Sequence, residues 1–306
     1  MHLPTEATIV EVGPRDGLQN EPGVVSTEVK VAFIDRLGST GLQAIEATSF
    51  VNPTWVPQMA DASKVMADIS RRPNVRYPVL VPNERGLDGA LSAKAAEVAV
   101  FGAASEAFSQ KNLNRSIAES IEMFRPVVSR AKAQGLRVRG YVSTVLGCPF
   151  QGEVPLDDVL RMTAAMFELG VDEVSLGDTI GVGTPTQTHT LVERVREVAD
   201  LEQIAVHMHD TFGQGLANTL AAFDAGVTIA DSSAGGLGGC PYAPGAKGNL
   251  ATEDLIYALH GAGVHTGVDL DALVDVSAWM AQQLGRPSPS RVVEAVLAKR
   301  ARAALP

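Results

Sequence analysis

Eight short runs of β-forming residues, spaced by helix-length stretches, restrict the fold of this chain more than any other feature. They begin near Ile9, Ala44, Arg76, Glu97, Arg137, Glu173, Ile204 and Thr228. They are rich in Val and Ile and often apolar on both faces, as parallel strands covered from both sides are. Helical patterns fill residues 26–40, 59–70, 116–134, 155–169, 186–199 and 214–225. The first puts Val29, Phe33, Ile34 and Leu37 on one stripe, with Ser26 as its N-cap. Gly41, Gly135, Gly170 and Gly226 stand between a helix and the next strand, where the chain needs a left-handed residue. Eight strand–helix units predict an α/β fold, a (β/α)8 TIM barrel over about residues 8–266. The alternative is an open doubly wound sheet, but no GxGxxG follows the first strand. Two further helical stretches, 270–284 and 290–304, have no strand between them. They predict a short C-terminal helical extension over about 267–306, within one catalytic domain.

The length of 306 residues suits such a barrel, which commonly needs about 250. Lys and Arg number 25 against 35 Asp and Glu, a formal charge of −10. This disfavours general binding to nucleic acid or an anionic membrane. No uncharged apolar run approaches the ~20 residues of a membrane span, and the opening MHLPTEATIVEV has no basic stretch before an apolar core. Two cysteines fit a reducing compartment, so a cytoplasmic protein is expected.

In a barrel, chemistry gathers where strands end. The first strand ends in Arg15-Asp16, a cation beside a carboxylate. They read either as an oxyanion holder beside a metal ligand or as a local salt bridge. Glu46 sits inside the apolar second run and needs a partner. It reads as a support for Arg15, a proton-transfer group or a structural ion pair. Asp178 ends the sixth run, as a site acid or a loop cap. The seventh carries His207-Met208-His209-Asp210. Alternation points His207 and His209 to the same side, so both can meet one metal. Asp210 points away, as a helix cap or a support for the ligands. After the eighth strand come six glycines in residues 235–248, with Cys240 among them and Asn249 next. This segment reads as a gating lid or as a long surface turn with Asn249 as a cap. Cys148 reads as a loop or core thiol. Asp16, His207, His209 and the Asn249 oxygen together suit Mn2+ or Mg2+; the two histidines alone would equally suit Zn2+ or Fe2+.

Longer motifs carry a resemblance. Val10 to Glu21 (VEVGPRDGLQNE), Glu46 to Val51, Trp55 to Met59, Ser175 to Pro185, His207 to Thr211 and Gly236 to Asp254 resemble 3-hydroxy-3-methylglutaryl-CoA lyases. The likeness spans the whole barrel, and Arg-Asp with His-x-His is similar to the wider metal-dependent Claisen lyase and aldolase group. It implies a TIM barrel that uses a divalent metal, Mg2+ or Mn2+, to cleave an acyl-CoA, HMG-CoA, to acetyl-CoA and acetoacetate in leucine breakdown. Carried over, the metal ligands fall on Asp16, His207, His209 and Asn249. Arg15 would stabilise the thioester enolate, Cys240 would be the thiol that handles its proton, and Glu46 and Asp178 would be the other site acids. His207 as base would need the ring nitrogen that the metal leaves free. Gln19 joins Arg15 as a substrate contact, and Lys111, Asn112 and Lys247 are the candidates to offset the charge of CoA. Pro22 stands where many relatives carry a basic residue, so the resemblance does not carry that possible CoA contact to this position.

The alternatives are the same chemistry on a larger C3 substituent or on citramalyl-CoA, and a Claisen synthase, which the short C-terminal extension disfavours. A metal-dependent hydrolase would carry its His-x-His on the first strand, and a non-catalytic barrel would leave the site unused. The C-terminal helices suggest a homodimer, with no nucleic-acid or membrane partner.

Overall fold

The computed structural model describes residues 1–239 and 248–303. Cys240 and Lys247 therefore lie outside the described residues. Nine strands form one sheet: β1 (Thr8–Glu11), β2 (Ala44–Ile45), β3 (Thr48–Ser49), β4 (Val79–Leu80), β5 (Glu97–Ala103), β6 (Arg137–Ser143), β7 (Glu173–Asp178), β8 (Ile204–Met208) and β9 (Ile229–Ser232). Their order is β2-β1-β9-β8-β7-β6-β5-β4-β3, and each pairing is parallel.

The count is nine rather than eight because the run at Ala44 is split. Ala44–Ile45 pairs with β1, and Thr48–Ser49 pairs with β4. The two edges of the sheet are thus halves of one strand, and the barrel closes through them. The seam is bonded on both sides: Glu46 N–H donates to the Glu11 carbonyl, and Ala47 N–H donates to that of Pro78.

Helices cover the outer face. They are α1 (Thr27–Leu37), α2 (Ala62–Asp68), α3 (Glu84–Ser92), α4 (Glu106–Leu113), α5 (Ile117–Ala133), α6 (Leu156–Leu169), α7 (Pro185–Val195), α8 (Gly215–Asp224), α9 (Thr252–Gly261), α10 (Leu270–Gln283) and α11 (Arg291–Ala303). Ser26 caps α1 by accepting from Val29 N–H, and Ser116 with Glu119 closes a reciprocal cap on α5. The sequence reading contains neither α3 nor α4. The second helix starts at Ala62 rather than 59, after a 3-10 turn over Pro57–Met59. The last two helices follow one another without a strand, as expected.

Alternation along the strands divides the interior. Ile9, Ile45, Val79, Val98, Val138, Val174 and Val206 point outward and pack with Phe33, Ile34, Phe124 and Phe223 of the helices in the main core. The inward face keeps only small apolar clusters, Val10–Val12–Ala44–Ala205–Ile229 and Leu80–Ala99–Tyr141. Between them lie Arg139, Glu173, Ser175 and Asp231, all buried. Such groups are tolerated inside only when paired, and they form the floor of the mouth described next.

Candidate active site

The chain after β1 does not leave as a plain loop. It coils into one π-helical turn, Gly13–Gly17, that carries Arg15 and Asp16 over the barrel mouth. Turns of this kind recur at functional sites. Arg15 is buried, donating from Nε to Glu46 Oε2 at 2.7 Å and from a terminal nitrogen to Asp16 Oδ1 at 2.6 Å. Its guanidinium carbon lies 5.4 Å from the centre of the Tyr141 ring. Burial works against the Arg15 charge, but the Glu46 and Asp16 carboxylates outweigh it and keep the guanidinium protonated. Glu46 falls in the gap between β2 and β3 and is fully buried. The support for Arg15 read from the sequence is realised.

Asp16, His207 and His209 converge, with one ligand atom from each lying within 4.8 Å of the others. The two Nε2 atoms are 3.2 Å apart. His207 Nδ1 lies 3.1 Å from Asp231 Oδ2, so this nitrogen carries the proton and Nε2 presents its lone pair to the mouth. Burial would raise the Asp16 carboxyl, but Arg15, the two histidines and the Asn249 amide hold it down at about 2. Burial, and then the charge of His207, lowers His209 to about 4, which keeps it neutral and ligand-ready. Burial also disfavours charge on His207, yet Asp231 lifts it above its ordinary value, so a cation would compete there with a proton. A carboxylate held ionised beside two imidazole lone pairs is a donor set that fits a divalent cation.

Asn249 reaches the same place from beyond the glycine-rich segment. Its Nδ2 donates to Asp16 Oδ2 at 2.8 Å and to the Leu237 carbonyl at 3.1 Å. In this orientation the nitrogen, which cannot ligate, faces Asp16. Asn249 does not cap α9, which starts at Thr252. Gly238 makes this approach possible. Its φ is +139°, and a Cβ there would lie 2.7 Å from Asn249 Nδ2.

Asp178 stands apart. Its oxygens accept from the N–H groups of Val182 at 3.2 Å and Gly183 at 2.9 Å, so it holds the turn after β7, the loop alternative read from the sequence. Asp210 accepts from Gly215 N–H at the start of α8. Cys148 is buried and free, 3.0 Å from Ser105 Oγ. A cavity of about 690 Å³ opens above the histidines and is lined by Arg15, Asp16, Gln19, Asn112, Tyr141 and Trp55 among others. Gln19 and Asn112 thus face it, while Lys111 is exposed on α4 and is not among its described lining.

Single strands read alone do not reveal the groups beneath. Asp231 accepts from Arg139 at 2.6 Å and from Ser175 Oγ at 2.9 Å, besides facing His207. Arg139 also donates to Glu173 Oε1 at 2.6 Å and to the Tyr141 hydroxyl at 3.0 Å. The available signal was a charged residue within an apolar run, which demands a partner.

Comparison with known proteins completes the description. The HMGL-like family model matches residues 6–280. The mitochondrial hydroxymethylglutaryl-CoA lyase of Bos taurus is 53% identical over 293 residues, covering 96% of this chain and 90% of that protein. The crystal structure of hydroxymethylglutaryl-CoA lyase from Pseudomonas aeruginosa superposes with a TM-score of 0.96 at 50% identity, covering 98% of this chain and 100% of the other. An HMG-CoA lyase from Acinetobacter baumannii, solved with coenzyme A and 3-methylmalate, gives a TM-score of 0.92 at 37% identity over 95% of each chain.

Proposed function

The chain belongs to the HMGL-like family, and on that premise we propose that its barrel mouth cleaves 3-hydroxy-3-methylglutaryl-CoA to acetyl-CoA and acetoacetate. The observation that carries the reading is the meeting of Arg15 with Asp16, His207 and His209 at one end of the barrel. It is a carbon–carbon lyase reaction. The C3 hydroxyl loses its proton, the C2–C3 bond breaks, its electron pair moves onto the thioester as an enolate, and the enolate carbon takes a proton.

Asp16, His207 and His209 would hold a divalent ion, Mg2+ or Mn2+, with Asn249 as a fourth ligand once its amide is turned over. Such an ion acidifies the hydroxyl of the substrate. Arg15 stabilises the enolate. Its guanidinium has five N–H donors, and the bonds to Glu46 and Asp16 leave others for the thioester oxygen. A fixed positive charge in a buried site, aimed at developing negative charge, is often the largest catalytic contribution. Glu46 holds that charge in place. Asp231 holds the His207 ring so that Nε2 stays available. Asp178 acts through the turn it ties. Gln19, Asn112, Lys111 and Lys247 meet the substrate, and Cys240 delivers the proton to the enolate carbon. The barrel and its C-terminal helices work as one catalytic domain. The protein is a homodimer through those helices. Two cysteines in 306 residues suit a reducing compartment, the cytoplasm. Among the described residues, no helix is long and apolar enough to cross a membrane.

The test is cleavage of HMG-CoA by metal-stripped protein, with and without Mg2+ or Mn2+, following both products. Equal amounts of acetyl-CoA and acetoacetate, formed only with the ion, are expected. No cleavage with the ion restored and the thiols reduced rejects HMG-CoA and directs the assay to larger 3-hydroxy acyl-CoA thioesters.

A further inference from the structure

Glu173 is the first residue of β7, on the floor beneath the mouth. It is buried and is not among the described lining of the cavity. Both of its oxygens are held by arginines of β6. Oε2 accepts from Arg137 at 2.8 Å, and Oε1 accepts from Arg139 Nε at 2.6 Å. Arg139 and Glu173 are register partners in the parallel pair, so the ladder turns them to the same side. Arg139 is 1% exposed, and each of its side-chain nitrogens meets a different residue. Nε meets Glu173, one terminal nitrogen donates to the Tyr141 hydroxyl at 3.0 Å, and the other donates to Asp231 Oδ1 at 2.6 Å. A guanidinium is a rigid planar fork. The bond at Nε therefore sets the plane in which the two terminal nitrogens point.

Each terminal nitrogen leads to a different half of the mouth. The Asp231 arm ends on His207, whose Nδ1 lies 3.1 Å from the other Asp231 oxygen. The Tyr141 arm ends on Arg15. The guanidinium carbons of Arg15 and Arg139 lie 5.4 Å and 5.1 Å from the centre of the same Tyr141 ring. Cations are drawn to the face of an aromatic ring, so a turn of that ring moves the seat of Arg15. We infer that Glu173 is a positioning residue for the reaction, acting through Arg139 on both the His207 imidazole and the Arg15 guanidinium. The inference rests on the metal and lyase readings above. A second buried carboxylate on the same floor lacks this route. Glu97 accepts from Arg76 at 2.7 Å and 2.9 Å and lies 3.6 Å from Arg137 Nε, and among the described residues no ion pair joins it to Arg139. Glu97 thus shares the burial and pairing of Glu173 without its path to the mouth.

Three variants separate the two arms from each other and from a general loosening of the floor. Calorimetric titration of metal-stripped protein reads the His207 arm. Glu173→Gln is expected to weaken Mn2+ binding about tenfold, while Tyr141→Phe, which leaves Arg139 on Asp231, binds as the wild type does. Cleavage of HMG-CoA at saturating Mn2+ reads the Arg15 arm. There kcat is expected to fall about tenfold in both variants with KM held. Glu97→Gln is expected to lower the urea midpoint as Glu173→Gln does, yet to keep the Kd for Mn2+ and kcat. Loss of Mn2+ affinity in Glu97→Gln equal to that in Glu173→Gln overturns the positioning role, as do wild-type Kd and kcat in Glu173→Gln. Tyr141→Phe loses a single hydroxyl and tests the Arg15 arm even where Glu173→Gln does not fold; wild-type kcat in it overturns that arm. If the wild type cleaves HMG-CoA while Glu173→Gln matches it throughout, the positioning role falls and the lyase reading stands. If the wild type binds Mn2+ and cleaves no HMG-CoA, while Glu173→Gln still weakens the ion, the lyase reading falls and the His207 arm stands.

Discussion

His207 and Asp231 are register partners in the adjacent parallel strands β8 and β9, with His207 Nδ1 lying 3.1 Å from the Asp231 carboxylate. The ladder itself delivers the contact, since paired residues in a parallel sheet face the same side. Arg139 and Ser175 hold the carboxylate from β6 and β7. Four strands thus fix the tilt of one imidazole.

Replacing Asp231 with Asn puts an amide against the ring and removes the charge that fixes its tautomer. Affinity for Mn2+ is expected to fall about 10- to 100-fold, read by calorimetric titration of metal-stripped protein. Arg139 keeps Glu173 and Tyr141 as partners, so the variant should fold. An unchanged Kd would show that Asp231 has no part in presenting His207.

Glu46→Gln leaves the buried Arg15 with Asp16 as its one carboxylate partner. Breaking a buried ion pair costs roughly 3–5 kcal/mol, and the surviving Asp16 contact should keep the loss toward the low end. Urea unfolding reads this loss. Turnover should fall along with it, because the guanidinium loses the group that aims it. A variant of wild-type kcat would remove Glu46 from the account of catalysis.

Gly238→Ala is expected to disable the site from a distance of one side chain. The backbone there has φ +139°, and the added methyl would lie 2.7 Å from Asn249 Nδ2 and 3.2 Å from its main-chain nitrogen. Strain of this kind costs on the order of 1–3 kcal/mol, and displacement of Asn249 should lower kcat/KM by at least about tenfold. Full activity in Gly238→Ala would mean that the Asn249 amide need not sit against Asp16.

Stability should carry a pH signature away from the catalytic groups. Glu253 is buried under the start of the glycine-rich segment, accepting from Gly235 N–H and from Ser277 Oγ. Burial pushes its carboxyl from an ordinary 4.5 up to about 8. The unfolded chain releases this proton near 4.5, while the folded chain keeps it until about 8. The stabilising contribution is therefore complete below 4.5 and lost as the pH rises through about 8. Glu253→Gln, which cannot ionise, should flatten that decline, by a few kcal/mol at most. Denaturant midpoints measured across this range for both proteins decide the matter. Parallel curves would mean that Glu253 titrates normally.

Much of the mouth is legible because its candidate ligands sit together along the chain. Arg15 and Asp16 are neighbours, and His207 and His209 are two apart where β8 ends, so period alone brings them to one side. Asp231, Arg139 and Tyr141 are harder to read, because their meeting depends on which strands become neighbours. The break at Glu46–Ala47 is hidden for another reason: residues 44–50 read as one continuous strand, and closure of the sheet decides which half pairs with which edge. Helix α3 escapes notice because Gly86 and Gly89 dilute its pattern, and α4 because it has only eight residues. The Asn249 amide shows the limit of spacing: its position is readable, but which of its two ends faces Asp16 is set by Leu237 and Gly238.

The split strand also decides which carboxylate reaches Arg15. Glu46 N–H is bonded to the Glu11 carbonyl, so Glu46 comes to the guanidinium through the pairing of β1 with β2. A one-residue slip in that pairing would turn the carboxylate to the other face of the sheet and leave Ile45 or Ala47 where Arg15 needs a partner.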